Sequence, residues 1–301
     1  MVGNNVFAII VTFNPELDLL SKQLESLKHQ VNGIVYVDNG TKNIEQLKKF
    51  YEEHTFSTNI FYILNLKNQG LGYAQNQGIK LAFEKGADHI FLLDHDSIVE
   101  HNCIYQLLET EKSLLKKGIK VGLVGPVFVN VHNNLPSPAS IMQGLCIKKR
   151  FPKNDPIFAS YLIASGSLIR TNVLKTVGLI DEKLFIDGLD LEWCFRANYF
   201  GFKIVMTPDA KMEHRLGDRR ISIGKVNLAS HSPQRRYYIV RNSFLFNRYK
   251  HIPLGFRIRT GFLSIIKICA MLIKSTNRKD FYRYNILGLR DGILGKFGEF
   301  N

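Results

Sequence analysis

The first hundred residues alternate between two hydrophobic periods, and this restricts the fold more than any other feature of the chain. Val6 to Thr12, Gly33 to Val37, Asn59 to Asn65 and His89 to Leu93 are short runs rich in β-branched, leucine and aromatic residues, the composition of strands. Between them, Leu17 to His29, Ile44 to His54 and Gly72 to Lys85 have helical spacing; in the first of these Leu19, Leu20, Gln23, Leu24 and Leu27 share one face. The order β-α-β-α-β-α-β predicts a parallel sheet with helices on both faces, because each parallel connection needs a crossover. Ligands of such sheets bind beyond the carboxyl ends of the strands, so the residues that follow each strand are the candidates for function.

Every strand exit is polar or carries glycine: Thr12-Phe13-Asn14-Pro15, then Asp38-Asn39-Gly40, then Asn65 to Gly72, then Asp94-His95-Asp96-Ser97. Any one of these alone is an ordinary turn; together they form one rim. Gly70-Leu71-Gly72 is no dinucleotide fingerprint, since the third glycine is missing and the run follows the third strand, not the first. Asp94 and Asp96, two apart on extended backbone, point the same way and can share one hard cation, Mg²⁺ or Mn²⁺. The competing reading is a cap for a helix expected from Ile98 to Glu111. His95 is expected to face away from the pair.

The chain has 301 residues, 45% apolar and 22% charged, a composition that folds. Its four cysteines are far apart with no CxxC, which argues against a zinc ribbon or a disulfide framework. The apolar run Val6 to Val11 has no basic stretch before it and is too short for a signal peptide or a membrane span, so a cytoplasmic location is expected. Charge is uneven: residues 1 to 210 hold 21 basic against 21 acidic side chains, and residues 211 to 301 hold 19 against 5. The last third therefore suits nucleic acid, an anionic membrane or a phosphorylated substrate, and no nucleic-acid motif accompanies its arginines. Phe262 to Ile273 is apolar apart from Lys267 but falls short of the roughly 20 residues a span requires. With Arg257, Arg259, Lys274, Arg278 and Lys279 around it, it suits an amphipathic helix on an anionic leaflet; packing on the catalytic domain or on another subunit, as in a homo-oligomer, is the alternative.

A second group of acids, Asp187, Asp190 and Glu192, opens a helical segment from Leu191 to Phe200, where they complement the helix dipole. Ser165-Gly166-Ser167 precedes an apolar pair, and Met212-Glu213-His214 follows a strand expected from Phe202 to Thr207. His214 taken alone has no metal-binding spacing.

Taken together, Ile10 to Asn14, Val37 to Gly40, Asn68-Gln69-Gly70 through Asn76-Gln77-Gly78, Asp94 to Ser97, Ser165 to Ile169 and Phe185 to Trp193 resemble the inverting nucleotide-sugar glycosyltransferases of family 2, and within them the rhamnosyltransferase group. The resemblance implies the GT-A fold, an α/β, Rossmann-like mixed sheet with flanking helices, over residues 1–230. Residues 1–100 would be the nucleotide-binding half and 101–230 the acceptor half, followed by a basic helical extension, 231–301. It implies that Thr12, Asn14, Asn68, Gly70 and Asn76 line the donor nucleotide, that Asp38 accepts from the pyrimidine N3–H, and that Asp94 lies near the ribose or sugar. Asp96 would meet a divalent metal, with His214 completing it or touching the diphosphate. Ser165 and Gly166 would pass beneath the sugars, and Asp187, Glu192 and Trp193 would orient the acceptor. Asp190 would be the base that deprotonates the acceptor hydroxyl. Arginines in the segment from Ser232 to Asn242 would meet phosphate. The family's middle glutamine is His95 here, and Leu189 stands where a glutamate is commoner.

The implied reaction moves L-rhamnose from dTDP-L-rhamnose to a lipid-linked saccharide in O-antigen, lipopolysaccharide or other surface polysaccharide biosynthesis, peripherally on the inner face of the cell membrane. A UDP-sugar-dependent hexosyl- or galactofuranosyltransferase on the same frame is the alternative enzyme. A noncatalytic module binding anionic surfaces is the alternative from another class.

Overall fold

The computed structural model describes residues 4–53, 59–130, 135–214, 220–223, 226–229, 232–274 and 278–300. The first half runs β1 (Val6–Thr12), α1 (Leu17–Leu27), β2 (Gly33–Asn39), α2 (Ile44–Glu53), β3 (Asn59–Asn65), α3 (Leu71–Glu84) and β4 (His89–Asp94). It continues with β5 (Ser97–Val99), α4 (Cys103–Lys116), β6 (Val121–Asn130), β7 (Leu135–Pro136), β8 (Ala139–Gln143), β9 (Cys146–Arg150), β10 (Ile157–Ala159), β11 (Ser167–Arg170) and α5 (Thr171–Val177). A 3₁₀ turn at Glu182–Leu184 leads to α6 (Leu189–Tyr199), β12 (Lys203–His214), β13 (Arg220–Ile223), β14 (Val226–Ala229), α7 (Pro233–Leu245), α8 (Leu254–Lys274) and α9 (Arg278–Leu294).

The large sheet has the order β10-β12-β6-β11-β4-β1-β2-β3, with β5 on β12 and β7 on β6. β3, β2, β1 and β4 are parallel to their neighbours, as the alternation requires. β11 then enters antiparallel between β4 and β6, so the whole is mixed. Side chains alternate across β1: Val6, Ala8 and Ile10 pack under α1, α2 and α4, while Phe7 and Ile9 pack under α3. Both faces are therefore apolar, which is why the strands read as continuous hydrophobic runs.

One expected element is corrected. The helix predicted from Ile98 begins at Cys103, because Ser97, Ile98 and Val99 pair with His214, Glu213 and Met212 of a β12 that runs well past Thr207. Asp96 therefore sits in a strand-to-strand turn and caps no helix.

The C-terminal helices dock on this frame. Glycines one helical turn apart let α9 approach α7 closely: a Cβ on Gly288 would lie 2.6 Å from the Tyr237 carbonyl oxygen, and one on Gly292 would lie 2.7 Å from that of Arg241. α8 turns Phe256 inward onto Phe195, with ring centroids 4.8 Å apart, and Ser264 donates to Ser243 of α7 at 2.8 Å. Its other side leaves Leu254, Ile258, Phe262, Ile265 and Ile266 exposed, Phe262 at 62%. No helix among the described residues is long and apolar enough to cross a membrane.

Gly288→Ala is expected to cost about 1–3 kcal/mol by forcing α7 and α9 apart. Gly261→Ala in α8 meets only Phe244 Cε1, at 3.9 Å, and should stabilise by about 0.5–1 kcal/mol. Urea denaturation of the two variants beside the parent chain reads both signs.

Candidate active site

The exits of β1, β2 and β3 are laced together by side chains. Asp38 is fully buried; its Oδ1 accepts from the Thr12 and Thr41 hydroxyls, the former at 3.1 Å, and its Oδ2 from the Gly40 and Thr41 amides at 3.1 and 2.9 Å. A carboxylate has about four acceptor positions, and all are taken by protein donors. Asp38, expected to accept from a pyrimidine, fixes the turn that forms the floor in this structure. Buried Thr12 spends its hydroxyl on Asp38 and, at 3.2 Å, on Tyr51. Tyr51 stacks on Tyr62 with centroids 4.1 Å apart and lies 5.4 Å from Tyr36, an aromatic wall behind the rim that the sequence reading missed.

Asn14 stands at φ +48°, a conformation asparagine tolerates better than most residues; its amide donates to Thr41 Oγ1 at 2.9 Å and its Oδ1 accepts from the Lys42 amide at 3.0 Å. Asn68 Oδ1 accepts from Asn39 Nδ2 and the Gly70 amide, at 3.0 and 2.9 Å. Gly70 serves a close approach: at φ +93° a Cβ there would lie 2.9 Å from the Phe185 carbonyl oxygen. The β3 exit is thereby pressed against the segment that carries the second acids.

At the end of β4 the acid turn is clamped from two sides. Gln23, at a core-facing position of α1, donates through Nε2 to the carbonyls of Asp94 and Ser97, at 2.6 and 2.8 Å. Ser165 Oγ accepts from the Asp94 amide at 3.0 Å and lies 3.0 Å from the Ser97 hydroxyl. Gly166 lies against this end of the sheet, its amide donating to the Leu92 carbonyl at 2.8 Å. Asp94 and Asp96 are both half-buried, and His95 turns to the Val11 carbonyl, 3.3 Å away. The backbone of His214 pairs with Ser97; its side chain lies outside the described residues.

The second cluster hangs on a backbone with positive φ at Phe185, Asp187 and Gly188. Asn242 Nδ2 reaches the carbonyls of Leu184, Ile186 and Asp187 at 3.0, 2.8 and 2.8 Å, and Arg241 Nη2 donates to that of Leu184 at 2.8 Å. Arg235 clasps the Asp187 carboxylate, with Nη2–Oδ1 at 3.0 Å and Nε–Oδ2 at 3.1 Å. Arg235 and Arg241, in the segment whose arginines were expected to meet phosphate, hold the acid loop. Burial pushes the Asp190 carboxyl up to about 6; the Leu191 amide, 2.9 Å from Oδ1, opposes the rise, and the charges of Asp187 and Asp94 add to it. The Asp190 carboxyl thus feels the charges of both acid groups.

Three expected site residues belong to the packing. Asn76 is buried, bonded to the carbonyl and amide of Ile180 at 2.9 and 3.0 Å and to Glu182 at 2.7 Å, so its polar atoms are unavailable to a nucleotide. Glu192, 1% exposed, is held by Arg196 at 2.8 Å and approached by His251 at 2.8 Å. Trp193 is buried with its indole N–H on the Gly178 carbonyl at 2.9 Å. In place of these acceptor-orienting roles, Glu192 and Trp193 secure α6.

Residues 7–178 match the model of glycosyl transferase family 2. The dTDP-rhamnosyl transferase RfbF of Shigella flexneri is 33% identical over 302 residues, covering 99% of this chain and 98% of that protein. The galactofuranosyltransferase GlfT1 of Mycobacterium tuberculosis (strain ATCC 25618 / H37Rv) is 24% identical over 251 residues, 79% of this chain and 80% of that one. Among solved structures, S. aureus TarS 1–349 in complex with UDP-GlcNAc superposes with a TM-score of 0.63 at 15% identity, over 97% of this chain and 81% of that one. GalNAc-T7 with UDP, GalNAc and Mn²⁺ gives 0.62 at 14% identity, over 94% of this chain and 55% of that longer one. These likenesses show the GT-A fold.

The folded state holds the Asp190 proton more tightly than the unfolded chain, whose carboxyl titrates near 3.8. The favourable contribution of that protonated group is complete below the unfolded value and is lost as pH rises through about 6. Asp190→Asn should therefore exceed the parent chain in stability by on the order of 1–3 kcal/mol at pH 8, with the gap closing towards pH 4. Denaturant titrations across that range test the sign.

Proposed function

The chain belongs to glycosyl transferase family 2 and is a glycosyltransferase, and from that premise we propose that it transfers L-rhamnose from dTDP-L-rhamnose, with inversion, to a lipid-linked saccharide in surface polysaccharide assembly such as O-antigen. The sugar rests on the full-length likeness to RfbF. The chemistry rests on one observation, that Asp190 stands in the first turn of α6, where burial holds its carboxyl up at about 6 and the charges of Asp187 and Asp94 add to the rise. A base near pH 6 is ionised at neutral pH yet still takes up a proton readily.

In this reading the acceptor oxygen attacks the anomeric carbon, the bond to the donor phosphate breaks, and the acceptor proton passes to the Asp190 carboxylate. Gln23 and Ser165 hold the Asp94 turn in place, and the Arg235 contact keeps Asp187 aimed beside the base. Asp94 and Asp96 lie in one short turn at the end of β4, an oxygen pair that fits a hard cation completed by waters and substrate phosphate oxygens. Mg²⁺ or Mn²⁺ there would neutralise the leaving nucleoside diphosphate, with Asp96 as its main ligand.

The exposed face of α8, from Leu254 to Ile266, supports a peripheral seat on an anionic inner leaflet, where a lipid-linked acceptor is found. The GlfT1 likeness favours a second reading, a UDP-galactofuranose donor on the same residues.

Asp190→Asn is expected to lower transfer by about 10²-fold or more while donor binding survives, and Asp96→Ala to weaken donor binding in metal and not in chelator. Near-normal turnover of the first would remove the base. Calorimetry with dTDP against UDP decides the donor: tighter UDP binding overturns the rhamnose reading. Phe262→Asp with Ile258→Asp should release the protein from phosphatidylglycerol vesicles in co-sedimentation, and undiminished sedimentation would refute the membrane seat.

A further inference from the structure

Beside the acid loop, α7 and α8 enclose a cavity of about 290 Å³, lined by Asp187, Gly188, Leu191, Asn242, Thr260 and Lys267. No part of the donor chemistry above uses it. Lys267 lies two helical turns beyond Arg259 on α8, with Leu263 between them, so both cations lie on one side of the helix. The β8–β9 hairpin is drawn in close to this helix: a Cβ on Gly255 would lie 2.2 Å from the Gly144 carbonyl oxygen at the hairpin tip. The hairpin brings Lys149, whose Nζ donates to Ser140 Oγ at 2.6 Å, and Ser140 itself bridges to Tyr161.

These cations sense one another. Partial burial pulls Lys267 below the usual lysine range, and the charges of Arg236 and Arg259 pull it the same way. Burial and Arg259 do the same to Lys149. Tyr161 packs on Phe256 of α8, with ring centroids 5.7 Å apart; its hydroxyl is raised by burial, lowered by Ser140 and Arg259, and raised by Asp190. Among the described residues no ion pair involves Lys149, Arg259 or Lys267. Arg236, 3% exposed, bonds Asn285 through Nη2 at 3.1 Å while its buried Nε has no partner. The carboxylate in the cavity wall, Asp187, is already clasped by Arg235, and positive charges gathered without ion pairs of their own repel, a repulsion that a bound anion relieves.

We propose that α8 and the β8–β9 hairpin beside this cavity form an anion subsite on the acceptor side, in which Lys267, from the cavity wall, with Arg259 and Lys149 receives the phosphate or diphosphate ester that carries the acceptor saccharide, with Tyr161 between that anion and Asp190. It deepens the reading above, on which its acceptor class rests. The deep Arg236 supports the field of the subsite and does not itself touch the ligand.

Farnesyl diphosphate, with farnesol as the uncharged control, is the probe, titrated into the full chain in detergent with chelator so that no metal-dependent donor site competes. Farnesyl diphosphate is expected to bind at least tenfold more tightly than farnesol, and the Lys267→Gln/Arg259→Gln pair to lose at least tenfold of that affinity. Lys267→Arg should keep it, and so should Asp96→Ala. Equal binding of the two probes, an unchanged affinity in the paired variant, or a loss in Asp96→Ala would each overturn the subsite. Phosphatidylglycerol vesicles separate the sources: if the paired variant leaves the vesicles but still prefers farnesyl diphosphate in detergent, the cations serve the leaflet and the inference fails. Titration of dTDP with metal on the same preparations keeps the two readings apart, since failure there removes the donor assignment and leaves the anion result standing.

Discussion

The side-chain amide of Asn242, set against the backbone carbonyls of Leu184, Ile186 and Asp187, is the contact on which the site depends. Phe185, Asp187 and Gly188 lie in a region of backbone space that non-glycine residues avoid, at a cost of about 1–3 kcal/mol each for the two that carry side chains. Such a loop persists only where its surroundings over-determine it. Here α7 supplies that restraint through Asn242, Arg241 and Arg235, and α9 backs α7 through the close seam at Gly288 and Gly292. The basic C-terminal region is thereby structural as well as charged: it holds the acid side of the cleft in a shape that the sheet alone does not impose.

The two acid groups are held by different means. Asp94 and Asp96 stand in a turn at the end of a central strand, whose backbone is clamped by neutral side chains, Gln23 and Ser165. Asp190 is mounted at the start of a helix, half-buried, and feels the charges of Asp187 and Asp94. On the proposed reading the first group would hold positive charge and the second a proton, the division of labour that a displacement at a sugar carbon requires.

The parallel half of the sheet was legible because strand and helix periods alternate cleanly there, and the acid pair at the end of β4 was legible because alternation alone fixes which way its side chains point. What was not legible has physical reasons. Gln23 occupies an apolar-stripe position, and the sequence shows a polar residue there without showing which carbonyls it meets 71 and 74 residues away. Ser97 to Val99 reads as the start of a helix because the partner that makes it a strand lies more than a hundred residues on. Asp38 was read as a ligand group, and only the folded turn shows Thr12, Gly40 and Thr41 filling its acceptor positions. Arg241 looked like a phosphate contact because charge is visible in sequence and burial is not.

Trp193 is the sole indole of the chain, and it is sealed beneath α6 with its N–H on the Gly178 carbonyl, three residues from Asp190. Intrinsic fluorescence therefore has a single emitter, and that emitter sits in the wall on which the base is mounted. A blue-shifted spectrum certifies that this wall is closed, so loosening of the acid side can be followed optically without any label.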